Sequence, residues 1–91
     1  MAKVVVTLKI MPESPNVNLD ELQKNVLKKI KDALGDTETK VEREPIGFGL
    51  NALKVLFVMD ENKNVDIIET SVKKTKNVQS VDVVDVRRAI G

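Results

Sequence analysis

Cysteine and histidine are both absent from this 91-residue chain, which excludes thiol nucleophiles, disulfides, thiolate metal sites and imidazole bases together. Carboxylates remain. Asp60, Glu61, Asp82 and Asp85 could supply a general acid and base, but nothing in their spacing makes them converge, and charged residues ordinarily solvate a surface. Asp60, Asn62 and Asn64 open like a calcium loop, yet Val65 stands where the loop needs Gly and Ser71 where it needs Glu. A polar turn before a helix fits those residues better. Gly47, Gly49 and Ala52 match G-x-G-x-x-A, with Glu69 about 20 residues further on, in imitation of a dinucleotide fingerprint. That motif must follow a strand and open a helix, whereas Leu50 to Met59 alternates with the period of a strand. The chain is also too short for a doubly wound domain. These residue types point away from covalent chemistry in a pocket, so the chain is expected to be no enzyme, to need no cofactor, and to work by gripping a protein partner.

Several function classes fall to composition. With 42% hydrophobic and 32% charged residues, the chain is too apolar for a solvated tail and suits a folded domain. Its length leaves room for one domain, expected to span residues 1–91. The longest apolar runs, Val4 to Val6 and Val55 to Met59, fall far short of the ~20 residues that span a bilayer. Met1-Ala2-Lys3 leads straight into a strand pattern without the regions of a signal peptide, so cytoplasmic residence and no membrane contact are expected. Fifteen Lys and Arg against fourteen Asp and Glu give a net charge of +1, which supplies no general field for nucleic acid or anionic lipid. No direct nucleic-acid contact is expected, and any such binding would need a local patch.

The elements that must position the remaining candidates can be read from periodicity. Val4, Val6, Leu8 and Ile10 share one face of a strand near residues 3–11, with Val5, Thr7 and Lys9 opposite. Asn18, three residues before Glu21, starts a helix near 18–34, in which Leu19, Leu22, Val26, Leu27, Ile30, Ala33 and Leu34 recur at helical spacing. Gly35 closes it. The thinly apolar stretch 37–45, with Glu38, Lys40, Glu42 and Glu44 on one face, predicts a charged edge strand. Residues 50–59 are apolar on both faces, as a central strand is. After the turn Asp60 to Asn64, the stripe Val65, Ile68 and Val72 predicts a helix near 65–76, whose late lysines suit a C-terminus. Near 78–88 the alternation of Val81 and Val83 slips by one residue to Val84 and Val86, which predicts a β-bulge. The order is βαββαβ, an α+β ferredoxin-like sandwich whose two helices cover one face of a four-stranded antiparallel sheet. The other face, with Val5, Thr7, Lys9, Lys54, Leu56 and Val58, is left as a candidate contact surface.

Gly47-Phe48-Gly49 at the third strand also matches part of the RNA-recognition motif, whose aromatics stack on bases from that strand. Against an RNA-binding module, Ile46 stands where a basic residue is expected, Asn51 and Leu53 stand where Val and an aromatic are expected, and only Phe48 and Phe57 could stack. Glycines at a strand start also serve plain bends, in which case Phe48 would be core.

The segment Glu44-Pro45-Ile46-Gly47-Phe48-Gly49-Leu50, followed by Ala52-Leu53-Lys54-Val55, resembles the Pro-x-Gly-aromatic-Gly strand of elongation factor 1-beta exchange domains. Leu8-Lys9-Ile10-Met11-Pro12 and Val78-Gln79-Ser80-Val81-Asp82-Val83 agree with it. The length is similar to that of the archaeal members, in which the exchange domain stands alone. The resemblance implies a guanine-nucleotide exchange factor acting on the GTPase elongation factor 1-alpha in translation. It also implies a partner-binding set: Phe48, expected to be exposed on its glycine-flanked loop as an anchor, with Gly47 and Gly49 contacting the GTPase, and Arg88, preceded by Arg87, near its magnesium and phosphate region. In eukaryotic relatives a penultimate Lys occupies the place of Arg88, and here the chain runs on through Ala89, Ile90 and Gly91. An Arg is not a simple substitute for a Lys, because its planar fork differs from a point charge.

Overall fold

A computed structural model describes residues 2–89. The alternating apolar residues of the N-terminal segment form strand β1 (Lys3–Pro12), and helix α1 follows at Leu19–Leu34. Strands β2 (Thr39–Gly47) and β3 (Leu50–Asp60) form a hairpin, and helix α2 (Val65–Lys73) leads into strand β4 (Val78–Arg88). The four strands pair antiparallel in the order β2-β3-β1-β4. The apolar β1 and β3 are therefore central, and the charged β2 is an edge strand.

Register explains which residues are buried. Val6 pairs with Phe57, Leu8 with Val55 and Ile10 with Leu53, so these six share the face that both helices cover. All are essentially inaccessible, and with Leu22, Val26 and Ile30 of α1 and Ile68 and Val72 of α2 they form one core. Ala33, which fits the helical spacing, is exposed on the outer side of α1. Burying an aliphatic or aromatic side chain of this kind contributes about 1.5 to 3 kcal/mol, so the face selection is strongly fixed. A one-residue slip would turn Val5, Thr7 and Lys9 inward instead.

Local chemistry sets the ends of the elements. The Asn18 side chain accepts from the Glu21 backbone N–H at 3.2 Å at the start of α1, and Asn64 does the same for Asp66 at 2.8 Å at the start of α2. Gly35, at φ 77, ends α1 and donates its N–H to the Lys31 carbonyl at 2.7 Å. Helix α2 ends at Lys73, earlier than its lysine-rich continuation to residue 76 suggests. There the Thr75 N–H turns back to Val72 and the chain reverses through Asn77 at φ 74. Between Thr7↔Asp85 and Leu8↔Val83 the β1–β4 register shifts, which leaves Val84 unpaired as the bulge. No helix is long and apolar enough to cross a membrane among the described residues.

Candidate functional site

The β2–β3 hairpin closes with Gly47 paired to Leu50, so Phe48 and Gly49 are the two residues of its turn. Their φ values are 55 and 78, and a type I′ turn requires a positive φ at both central positions. Such turns favour Asn-Gly. A Phe in the left-handed region costs about 1 to 2 kcal/mol, and this ring is 98% exposed. It gains no burial to offset that cost. Gly47, at φ 124, adopts a backbone that side-chain-bearing residues rarely take, and the register shift beside it adds a kink at Ile46. The turn leans on the β1–α1 connection: a methyl group built at Gly49 would lie 3.6 Å from the Pro15 Cβ. Three consecutive positive φ values thus hold an aromatic ring at the tip of the molecule, in water, with a half-exposed Ile46 beside it.

Arg87 and Arg88 lie at the other end. They are the last rungs of β4, opposite Val5 and Val4, and are not a frayed tail. Strand alternation sends them to opposite faces. Arg88 turns to the helix side, where its guanidinium donates to Glu61 at 3.0 Å. Arg87 turns to the open face, with its Nε 2.8 Å from Asp85. Ile90 and Gly91, which carry the chain past the arginines, lie outside the described residues. Because Val4 is also opposite Met59, the arginines stand about 30 Å along the strands from the hairpin tip, at ~3.3 Å per residue. The molecule's longest extent is 42 Å. Gly47, Phe48 and Gly49 are therefore one group and the arginines two further points; the structure does not bring them together.

Between them runs the open sheet face. A shallow depression of about 490 Å³ is lined by Thr7, Lys9, Glu42, Glu44, Lys54 and Arg87, among others. Glu44 Oε2 lies 3.9 Å from both Lys9 Nζ and Lys54 Nζ. The oxygen is shielded from solvent and has no hydrogen-bond partner, so one carboxylate is shared between two lysines and leaves one positive charge of the three groups unbalanced. Single-residue reasoning missed this trio, because it needs the register that sets Lys9 beside Lys54 and Lys54 beside Glu42. The partner of Arg88 was equally hidden, since Glu61 becomes a neighbour only through the β1 pairing.

The face lacks what stacking on bases would need. Phe57 is 1% exposed and points into the core, Phe48 is at the tip, and the chain has no other aromatic residue. The acids Asp60, Glu61 and Asp85 are also spoken for in part: Asp60 lies 3.8 Å from Lys3, Glu61 accepts a hydrogen bond from Arg88, and Asp85 forms an ion pair with Arg87 at 2.8 Å. Among the described residues no group of three or more carboxylates could hold a metal ion.

Comparison with known proteins agrees with this geometry. Elongation factor 1-beta of Methanosphaera stadtmanae is 43% identical over 97% of this chain and 98% of its own. That of Methanothermobacter thermautotrophicus is 40% identical over the same shares, and that of Pyrococcus abyssi 42% identical over 93% of each chain. A de novo designed protein, Foldit4, superposes with a TM-score of 0.64 at 22% identity over 98% of both chains, a likeness of fold alone. Residues 5–89 match the family described as the EF-1 guanine nucleotide exchange domain, and the chain belongs to that family.

Proposed function

We propose that this chain is a translation elongation factor, one exchange domain in extent, that binds the GTPase elongation factor 1-alpha and promotes replacement of its GDP by GTP. Family membership supports the reading, and the observation that carries it is the fully exposed Phe48 held on a strained turn. An aromatic ring kept in water at a cost to the free chain's stability is best explained by a pocket on a partner, where such side chains act as anchors. The sheet's length then separates two contacts. Phe48, framed by Gly47 and Gly49, grips the GTPase at one end, while Arg88 reaches its phosphate and magnesium region at the other, with Arg87 on the open face.

Exchange requires no covalent step. If the chain binds the nucleotide-free GTPase more tightly than the GDP form, GDP affinity must fall by the same factor in the complex. Arg88 is held by one exposed ion pair to Glu61, and a pair of that kind contributes about 0 to 1 kcal/mol. It is easily exchanged for the stronger negative field of a phosphate cluster. A cation delivered there competes with magnesium for the same field. Titration calorimetry of the chain into elongation factor 1-alpha, with and without GDP, tests the linkage. The nucleotide-free form should bind at least tenfold more tightly; equal affinities would remove exchange as the function.

A further inference from the structure

The overall charge of +1 hides a segregation on the helix layer. Lys28 and Lys29 of α1 and Lys74 and Lys76 beyond α2 line one groove of about 310 Å³, with Asp32 as its one acid and Thr75 beside them. All four lysines are exposed. None of them forms an ion pair among the described residues; of the lysines outside the groove, Lys3, Lys9, Lys31, Lys40 and Lys54 do, while Lys63 and Lys73 do not. Lys24 stands one turn before Lys28 on the same side of α1 and is unpaired as well. Lys74 complements the C-terminal dipole of α2, but that leaves Lys28 and Lys29 facing it without a structural reason. Like charges gathered on one groove repel, so the arrangement costs the free chain stability. Thr75 contributes to the lining, but its hydroxyl is shielded from solvent, has no hydrogen-bond partner and takes no part in the groove's charge.

We infer that this groove binds the phosphodiester backbone of a single-stranded nucleic acid. No apolar side chain lines it, whereas protein interfaces have an apolar core from which Lys is depleted; an acidic protein surface is therefore the poorer fit. The cations are spread over two elements and do not converge on one point, which suits a row of phosphates better than one small anion. Lysines act on phosphate as point charges. The groove holds no Arg fork to read a base and no aromatic to stack on one, so binding is blind to sequence and to sugar. This surface is on the opposite layer from the open sheet face and remains available when that face is covered. The inference is independent of the exchange reading, and it revises the expectation of no nucleic-acid contact by supplying the local patch that such contact needs.

Fluorescence anisotropy of the full chain with a labelled single-stranded RNA of about twenty nucleotides, and with DNA of the same sequence, tests it across a salt series. Each phosphate contact contributes about 0.7 to the slope of log affinity against log salt, so four contacts give a slope near −2.8 and similar affinities for RNA and DNA. The variant Lys28→Gln with Lys74→Gln should bind at least tenfold more weakly with a slope near −1.4. The same variant should melt close to the parent, because the repulsion it relieves is offset by losing Lys74 at the C-terminal end of α2. Absence of binding at low salt would overturn the inference, as would parent-like binding by the fourfold Gln variant at Lys28, Lys29, Lys74 and Lys76. Preferential binding of poly-glutamate over RNA would overturn it in favour of an acidic protein surface. Displacement of the oligonucleotide by inorganic phosphate beyond the effect of added salt would reduce the site to a single-anion pocket.

Discussion

Phe48 sets anchoring against backbone strain, and two substitutions separate them. Phe48→Ala removes the ring and should weaken the complex with elongation factor 1-alpha by roughly 2 to 4 kcal/mol, while the melting temperature barely moves because the ring is 98% exposed. Phe48→Asn places the preferred residue in the turn, so it should raise stability by about 1 kcal/mol and still lose the affinity. Calorimetry and chemical denaturation read the two effects; early melting with parent-like binding would show that the ring is structural. Arg88 is tested by rate. Arg88→Ala breaks an exposed pair with Glu61 and should change stability by less than about 1 kcal/mol. Losing even about 1.4 kcal/mol of competition at the magnesium site would slow exchange roughly tenfold, with a smaller loss in binding, and Arg88→Lys should retain part of the rate. Because Arg87 points to the other face, Arg87→Ala should not reproduce that pattern. Full exchange by the double variant at parent-like affinity would remove both arginines from the mechanism.

The hairpin turn works as a unit, and its glycines are its weakest tolerance. Gly47→Ala has open space around it, yet its φ of 124 should make the substitution cost about 1 to 3 kcal/mol. Urea denaturation checks this, and a neutral Gly47→Ala would mean that the turn readily takes another conformation. Elements of this kind were legible where burial imposes a period. The alternation Val4-Val6-Leu8-Ile10, the Asn18 cap and the slipped phase at Val83-Val84 each rest on one strand or helix and its distance from the core, and each is found where the sequence places it. The exposure of Phe48 is expected from its glycine-flanked place in the resembling strand, and the ring is 98% exposed; the pairing of Gly47 with Leu50 sets it at the tip and removes the alternative of a core ring at a plain bend. The opposite directions of Arg87 and Arg88, the Lys9–Glu44–Lys54 trio and the lysine groove all join residues distant in sequence. They follow only from strand register and helix packing, which single-chain periodicity does not contain.

At the scale of the molecule, a four-stranded sheet separates the hairpin tip from the arginines by about 30 Å, and the helix layer holds the register rigid between them. In the proposed complex, a GTPase that engages both ends is held at two points whose spacing the fold fixes, and a domain without His or Cys would thereby act on a distant nucleotide. The central claim is exchange itself. Stopped-flow release of a fluorescent GDP from archaeal elongation factor 1-alpha, with excess unlabelled nucleotide and increasing amounts of this chain, measures it directly. The expected result is a dissociation rate that climbs at least tenfold and saturates with the chain's concentration; a rate unchanged at saturating chain would contradict the proposed function.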